Sequence, residues 1–267
     1  MSPISADWAL TFKNVFFPIF CKQCTARLLT EENRFFCPTC WESSPRIERP
    51  FCPQCGRPHA AGVGLGTRSN FFCGPCSAGT VKPSYRRVLA PAVYDGPIGL
   101  AIRLFKFYDK RLLASPLGEL MRDCAEQELE CDSYDFVVPV PLHRVRQRTR
   151  GFNQSELLAR EVLTAFPNAR LDTSLKRIRP TEVLSQLKNE KQRLSSVRGA
   201  FDLAVSEHLR GKSVLLIDDV VTTCATVSEC ALVLKKAGVA YVDVLAATLA
   251  LPDALRKPAD DEYDEIV

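Results

Sequence analysis

Two adjacent carboxylates followed by threonines are the residues of this chain best suited to chemistry. Asp218 and Asp219 precede the hydroxyl side chains of Thr222, Thr223 and Thr226, which are donors for phosphate oxygens. Carboxylates repel phosphate, so the acidic pair suits sugar hydroxyls or a phosphate-bound Mg²⁺ beside it. A ribose with a 5′-phosphate offers both kinds of group. The stretch therefore predicts a site for phosphoribosyl pyrophosphate (PRPP) with Mg²⁺.

A strand and a helix are needed to hold these side chains in place. Residues 214–217 form a short apolar run typical of a buried parallel strand, and apolar residues recur at helical spacing from Val227 until Gly238. The N-terminus of that helix offers backbone N–H groups and a positive dipole end to a phosphate. An ordinary strand–helix turn capped by threonines is the alternative. Asp218 and Asp219 are the candidate catalytic residues, and the predicted PRPP-binding residues are Val220, Val221, Thr222, Thr223, Cys224, Ala225 and Thr226.

Eight of the 12 cysteines lie between residues 21 and 76, always as Cys-x-x-Cys pairs. Each pair directs two thiolates to one point, and two pairs complete a tetrahedral sulfur shell that suits Zn²⁺. Sequential pairing gives two zinc ribbons, and an interleaved arrangement, first pair with third, is also compatible with the spacing. The pattern predicts one or two structural Zn²⁺ ions held by Cys21, Cys24, Cys37, Cys40, Cys52, Cys55, Cys73 and Cys76.

The middle of the chain is basic. Residues 134–201 contain 13 Lys and Arg against 6 Asp and Glu, which indicates a polyanionic ligand such as pyrophosphate or nucleic acid. Four arginines directly follow an apolar run at 136–141, at the edge of the sheet where α/β folds bind ligands. A solvated basic strand or helix face is the alternative. His143 is expected to cap a helix or face solvent, with a general base near the sugar as the alternative. The residues predicted to face pyrophosphate or DNA are Lys106, Arg144, Arg146, Arg148, Arg150, Lys188 and Arg193.

Composition and length place the chain among soluble globular proteins with one full domain and one small domain. It has 267 residues, 46% of them hydrophobic and 25% charged, and no apolar run approaches the length of a membrane span. An N-terminal run at 8–20 lacks the features of a signal peptide, so a reducing cytoplasmic location is predicted. The expected divisions are an amphipathic helix at 1–20, a double zinc ribbon at 21–80, an α/β domain at 85–252 and an acidic, disordered tail at 253–267.

Further elements are predicted from periodicity. Strands are expected at 85–94, 171–178, 199–204 and 241–249, and helices at 98–108, 112–129 and 155–166. The polar, basic segment 179–198 is expected to be mobile and to close over the ligand, with an ordinary surface helix and loop as the alternative.

The acidic pair and hydroxyl loop resemble the PRPP-binding signature of type I phosphoribosyltransferases. The whole order resembles the ComF family of competence-associated proteins, through the Cys-x-x-Cys pairs, Val-Pro-Val-Pro at 138–141, Arg-Gly-Phe-Asn-Gln at 150–154, Thr181 with Gln186, and Ile-Asp-Asp-Val-Val-Thr-Thr at 217–223. This resemblance implies a type I phosphoribosyltransferase-like parallel sheet flanked by helices, with a small N-terminal zinc-ribbon module. It also implies that 139–144 and Arg150 lie on the pyrophosphate side, and that 181–193 is a flexible loop.

The resemblance further implies a role in the uptake or use of external DNA by bacteria. Two departures are visible, because the family usually has Gly at the position of Cys224 and often has Asn at that of Ser196. A side chain at 224 is expected to crowd the approach of the backbone to phosphate.

Two functions from different classes follow from these observations. The first is an enzyme that transfers a phosphoribosyl group from PRPP to an acceptor that the sequence does not name. The second is a binding or scaffold protein of the DNA-uptake machinery, in which the ribbons and the arginines hold single-stranded DNA. A purely structural role, with ribbons that recruit a partner protein, is a third reading.

Overall fold

The computed structural model describes residues 18–28, 33–59, 71–79, 83–180 and 195–252. The strands in these ranges are β1 (Ile19–Phe20), β2 (Arg27–Leu28), β3 (Val88–Leu89), β4 (Ala92–Val93), β5 (Phe136–Pro139), β6 (Arg170–Leu171), β7 (Leu175–Arg177), β8 (Phe201–Leu203), β9 (Ser213–Val221) and β10 (Tyr241–Leu249). The α-helices are α1 (Pro38–Glu42), α2 (Gly74–Ala78), α3 (Gly96–Phe107), α4 (Ala114–Glu128), α5 (Arg144–Arg150), α6 (Gln154–Val162) and α7 (Ala225–Lys236). Short 3₁₀ turns lie at Arg111–Leu113, Cys131–Ser133, Leu163–Ala165 and Glu207–Leu209.

A six-stranded parallel sheet forms the centre of the molecule. Its order is β3-β10-β9-β5-β6, and β4 also pairs with β10. The long strands β9 and β10 are buried on both faces, which is why they consist of nearly continuous apolar residues. All of these strands run in one direction, so their carboxyl ends share one edge of the sheet.

Helices cover both faces of the sheet. Helices α3, α4 and α6 pack on the face that carries Leu215, Ile217 and Leu245. Helix α7 packs on the opposite face, against Val214 and Leu216. The parallel α/β architecture predicted from the sequence is therefore confirmed.

The cysteine module lies along the outer edge of the sheet. The N–H of Val88 in β3 donates to the carbonyl of Gln54 at 2.8 Å, and the N–H of Val93 in β4 donates to that of Pro45 at 2.9 Å. Gly56 has a φ of +71°, and a Cβ there would lie 2.6 Å from the carbonyl oxygen of Val88, so only glycine allows this approach. The module thus supplies the hydrogen bonds that the edge strands lack.

A buried ionic cluster ties the edge segment to the sheet. The carboxylate of Asp243 in β10 is fully buried and accepts hydrogen bonds from Arg86 Nε at 2.9 Å and from the Tyr134 hydroxyl at 2.6 Å. Arg87 lies 3.5 Å from the same carboxylate. A buried aspartate with several partners of this kind stabilises the fold only while all of them remain.

Several element boundaries differ from those predicted. The strand expected at 85–94 is two short strands, β3 and β4, and the one expected at 171–178 is divided between β6 and β7. The division arises because β6 pairs with β5 in the main sheet, whereas β7 pairs with β8 in a separate antiparallel pair. The strand expected at 241–249 is found with those bounds.

Three predicted segments lie outside the described residues: nearly all of the helix at 1–20, the loop at 181–193 and the tail at 253–267. None of the helices in the described part of the chain combines the length and the hydropathy needed to span a membrane. The predicted domain boundaries stay predictions.

Candidate functional site

The acidic pair lies inside strand β9, not after it as the sequence predicted. Pairing with β10 continues through Val220 and Val221, so the strand extends past both carboxylates. Because side chains alternate along a strand, Asp218 points to the same face as Leu216 and Asp219 to the same face as Ile217. The two carboxylates therefore have different neighbours, although both lie at the carboxyl edge of the sheet.

Asp219 forms an ion pair with Lys106 of helix α3. Their Oδ1 and Nζ atoms are 2.8 Å apart, and Asp219 is only 8% exposed. Because the pair is largely buried, its attraction is weakly screened by solvent. Lys106 was predicted to face pyrophosphate or DNA, and in the structure its ammonium group lies on the acidic pair. Its predicted role toward pyrophosphate stays a prediction.

Asp218 is held by Ser155 at the start of helix α6. The Ser155 hydroxyl donates to Asp218 Oδ1 at 3.1 Å, and the backbone N–H of Asp219 donates to the same oxygen at 2.9 Å. Burial and the charge of Asp219 raise the pKa of Asp218 from 3.8 to about 7, against the opposing effect of the positive charge of Lys106. A carboxyl group whose pKa is raised toward neutrality, at the carboxyl edge of an α/β sheet, marks a candidate functional site.

A tight turn links β9 to helix α7. It comprises residues 222–224, and Cys224 has a φ of +60°, in the left-handed region that favours glycine. The helix begins at Ala225, so the residues predicted to bind phosphate divide into strand, turn and first helical turn. The Thr223 hydroxyl is buried without a hydrogen-bond partner among the described residues. The turn and the helix N-terminus thus combine backbone donors with a hydroxyl available to an anion.

Tyr85 connects this turn to the segment that follows the cysteine module. Its side chain is buried, and its hydroxyl forms a hydrogen bond with the thiol of Cys224. Burial raises the pKa of Tyr85, so the phenol stays protonated at neutral pH. No local pattern predicts this contact, since 139 residues separate the two side chains.

The four arginines lie on helix α5, and His143 caps its N-terminus through Nδ1, which accepts from the N–H of Val145 at 3.4 Å. The capping role expected for His143 is confirmed. Residues four apart share a helix face, so Arg144 and Arg148 form one exposed face, while Arg146 and Arg150 turn toward the body of the protein and are half-buried. The alternating spacing therefore does not bring all four guanidinium groups to one site.

Arg150 lies near the acidic pair. Its Nη1 donates to Gln154 Oε1 at 2.7 Å, and its guanidinium carbon lies 5.3 Å from the centre of the Phe107 ring. Burial lowers the pKa of Arg150, and the negative charge of Asp219 opposes this change. Gln154 is 1% exposed, and its Nε2 has no partner among the described residues. The cluster therefore has a further buried amide donor beside the arginine.

A cleft of about 730 Å³ lies across strand β5 from the acidic pair. Its polar lining includes His143, Arg144, Lys176, Arg177 and Asp202, and neither carboxylate of the acidic pair borders it. Sequence analysis missed Arg177, which lies near Arg146: burial lowers the pKa of Arg177 and the charge of Arg146 lowers it further. Lys188 and Arg193 lie outside the described residues.

The cysteines form two separate tetrads, with the sequential pairing. The sulfur atoms within each tetrad lie within 4.8 Å of one another. Cys24 and Cys37 have sulfurs 3.6 Å apart, and those of Cys55 and Cys73 are 3.5 Å apart. Tetrahedral Zn–S bonds of about 2.3 Å require S···S distances of roughly 3.8 Å, so each tetrad has the donors and the size for one Zn²⁺. The members are Cys21, Cys24, Cys37 and Cys40 in one, and Cys52, Cys55, Cys73 and Cys76 in the other.

Backbone N–H groups support the sulfurs as acceptors. Cys37 donates its N–H to the sulfur of Cys21 at 3.3 Å, and Cys73 donates to that of Cys52 at 3.3 Å. Such bonds stabilise thiolates, which are the form that binds zinc.

Comparison with known proteins agrees with this arrangement. Residues 12–77 match the double zinc ribbon domain. The chain is 29% identical to Competence protein F of Haemophilus influenzae over 237 residues, which cover 86% of this chain and 96% of that protein. It is 32% identical to DNA utilization protein YhgH of Escherichia coli O157:H7 over 212 residues, which cover 78% of this chain and 87% of that protein.

Among solved structures, the chain is similar to glutamine PRPP amidotransferase from B. subtilis, with 20% identity and a TM-score of 0.36. The match covers 51% of this chain and 26% of that enzyme.

The sheet, the helices and the tetrads together define a parallel α/β protein with an N-terminal double zinc ribbon. The predicted parallel sheet flanked by helices and the predicted zinc-ribbon module are thereby confirmed. The similarity to these relatives extends over most of both chains. The chain therefore belongs to the ComF/YhgH family of competence and DNA-utilisation proteins.

Proposed function

We propose that this protein binds PRPP with Mg²⁺ at the carboxyl edge of β9 and transfers its phosphoribosyl group to an acceptor. The observation that supports this most is the position of the carboxylates of Asp218 and Asp219, directly before a strained turn and the N-terminus of the 12-residue helix α7. The carboxylates would accept hydrogen bonds from the ribose hydroxyls. The turn and the helix N-terminus would hold the 5′-phosphate.

The basic residues would stabilise the leaving group. In the transfer, a nitrogen of the acceptor bonds to C1 of the ribose while the bond from C1 to the pyrophosphate oxygen breaks. The electron pair of that bond leaves with pyrophosphate, and the acceptor's proton is released to solvent. Arg150 would lie beside the developing negative charge, with Gln154 as a further donor. Mg²⁺ would neutralise charge on the pyrophosphate, and carboxylate oxygens are suitable ligands for it.

Calorimetric titration of PRPP with Mg²⁺ tests the binding step. The wild-type chain should bind PRPP, and the double variant Asp218→Asn/Asp219→Asn should lose the signal. Asp202→Asn is the matched control, since Asp202 lies at the cleft beyond β5 and not at the acidic pair. Equal binding by the wild type and the double variant would refute the assigned site. A pyrophosphate-release assay with candidate acceptors then tests transfer.

A second candidate function is the binding of single-stranded DNA. Phe71 and Phe72, directly before Cys73 of the second tetrad, are 62% and 52% exposed, and exposed aromatic rings can stack on bases. The exposed arginine face of α5 would contact the phosphates. Fluorescence anisotropy with an oligonucleotide at two salt concentrations should show binding that weakens with salt and in Phe71→Ala/Phe72→Ala. Binding unaffected by Asp218→Asn would separate this function from PRPP binding.

For its biological setting, we propose a cytoplasmic role in the uptake or use of DNA, with proteins of that machinery as partners. The names of the relatives support this setting. The 12 cysteines all lie in the described residues and form no disulfides, in keeping with a reducing compartment.

A further inference from the structure

Cys224 is the N-cap residue of helix α7, but its thiol does not cap the helix. An N-cap side chain usually accepts a hydrogen bond from an N–H of the first helical turn. A cysteine can do this in the present chain, because the sulfur of Cys37 accepts from the N–H of Cys40 at the start of α1. At α7, the Cys224 thiol accepts from none of the described N–H groups of the first turn. These N–H groups therefore remain available to an anion.

The Cys224 thiol has its partner in the core of the protein. It forms a hydrogen bond with the hydroxyl of Tyr85, whose side chain is buried. Cys224 is partly buried and packs against the hydrophobic cluster that contains Tyr85 and Ala225, the first residue of α7. The contact to Tyr85 thus takes the place of the capping bond that a side chain at this position would ordinarily make.

Tyr85 lies close to the second cysteine tetrad. Burial raises the pKa of its hydroxyl, and the charges of Cys224, Cys55 and Cys76 raise it further. Coulombic effects of this kind fall with distance, so the two tetrad sulfurs lie near the phenol. The first tetrad packs elsewhere, because Cys21 belongs to the hydrophobic cluster on the other face of the sheet from Tyr85.

Backbone hydrogen bonds join the segment of Tyr85 to the sheet and to this tetrad. The N–H of the next residue, Arg86, donates to the carbonyl of Val242 in β10 at 2.8 Å. The N–H of Val88 donates at 2.8 Å to the carbonyl of Gln54, which lies between two cysteines of the second tetrad. A change in the second ribbon therefore has a direct route, through β3 and Tyr85, to the turn that precedes α7.

We propose that Tyr85 is a positioning residue that couples the second zinc ribbon to the turn at 222–224, the phosphate turn. This inference rests on the proposed function. By binding the Cys224 thiol, Tyr85 keeps it from the N–H groups of α7 and leaves them to the 5′-phosphate. The second tetrad, when it holds zinc, fixes Gln54 and β3, and through them Tyr85. Without this support the thiol turns to the helix N-terminus and competes with the phosphate.

Calorimetric titration of the zinc-loaded full chain with inorganic phosphate tests the role of the hydroxyl. Tyr85→Phe keeps the ring in the core and should weaken phosphate binding roughly 2- to 10-fold, as expected for the loss of one neutral hydrogen bond. In the Cys224→Gly background the same substitution should have no effect, because glycine has no side chain to hold. Tyr241→Phe is the matched control and should leave phosphate binding unchanged, since its hydroxyl bonds the carbonyl of Ser133 at the opposite end of β10.

A comparison of the two ribbons tests the coupling. Cys76→Ser and Cys40→Ser each remove the last ligand of one tetrad, and native mass spectrometry should count one zinc ion in each variant. Phosphate binding should weaken in Cys76→Ser by at least the factor found for Tyr85→Phe, and it should keep the wild-type value in Cys40→Ser. Equal phosphate binding by the two ribbon variants would overturn the inference.

The other outcomes separate this inference from the proposed function. If the wild type binds phosphate and Tyr85→Phe binds it equally well, Tyr85 has no positioning role, while the proposed site stands. A loss of the same size in the wild-type and the Cys224→Gly backgrounds would show a general effect on folding and would also refute the coupling. If neither the wild type nor Cys224→Gly binds phosphate, the proposed phosphate site is refuted, and the inference with it.

Discussion

Replacing Asp218 by Asn should stabilise the folded protein at neutral and alkaline pH while it abolishes ligand binding. In the folded state, burial and the charge of Asp219 raise the pKa of Asp218 from 3.8 to about 7. In the unfolded chain the carboxyl ionises near its ordinary value. Between these two pH values the folded state holds a proton that the unfolded chain has lost, so stability falls as pH rises through this window. Above about pH 7 the full penalty remains.

The magnitude follows from the difference in pKa. A difference of about 3 units, at roughly 1.4 kcal/mol per unit, corresponds to a penalty on the order of 4 kcal/mol at pH 8. At pH 5.5 the same relation gives roughly 2 kcal/mol, because the carboxyl is then mostly protonated in the folded state. Asn has nearly the same shape and cannot ionise, and its side-chain oxygen can still accept from Ser155. The advantage of Asp218→Asn should therefore grow by about 2 kcal/mol between pH 5.5 and pH 8.

Urea unfolding of the two zinc-loaded proteins at pH 5.5, 7 and 8 measures this difference. The cysteine tetrads are the same in both proteins, so their own pH dependence cancels. Calorimetry with PRPP on the same samples should show that the more stable variant no longer binds. A difference in unfolding free energy that is constant with pH would refute the assignment of a raised pKa to Asp218. A variant less stable than the wild type at pH 8 would refute it as well.

Three further predictions concern other parts of the molecule. Asp243→Asn should have the opposite effect on stability, a loss of about 3 kcal/mol or more in urea unfolding, because Asp243 is ion-paired when buried. Cys224→Gly should bind inorganic phosphate more tightly by calorimetry, since glycine adopts a positive φ freely. The free energy of unfolding of this variant should differ from that of the wild type by only about 1 kcal/mol, because the relief of backbone strain is offset by the loss of the hydrogen bond to Tyr85. Native mass spectrometry should find two zinc ions in the wild-type chain and only one in Cys37→Ser, because each tetrad binds its own ion. If all eight cysteines formed one shared site, Cys37→Ser would lose both ions.

The sequence was sufficient to predict the features that depend on neighbouring residues. The Cys-x-x-Cys pairs predicted clusters of sulfur ligands, and the apolar run before Asp218 predicted strand β9, although not its extension to Val221. These patterns work because a strand, a helix start and a metal knuckle are each specified within a few residues.

Features set by distant contacts could not be predicted in this way. Strand β9 continues through Val221 because β10 pairs with it there, and this pairing places the two carboxylates on opposite faces. The arginines that alternate in sequence lie on a helix, which separates them into two faces. Ser155 reaches Asp218 across 63 residues, and the sequence near Ser155 carries no signal of that contact.

The position of the cysteine module along β3 and β4 has a consequence for solubility. An open edge of a parallel sheet offers unpaired N–H and C=O groups to any other strand, and is a common starting point for aggregation. Here the carbonyls of Gln54 and Pro45 occupy donors of that edge. A module of this size has little core of its own and depends on its metal to stay folded. Zinc shortage should therefore expose the edge and make the protein self-associate before the main domain unfolds. In a cell, zinc would then protect the protein from aggregation in addition to stabilising the module.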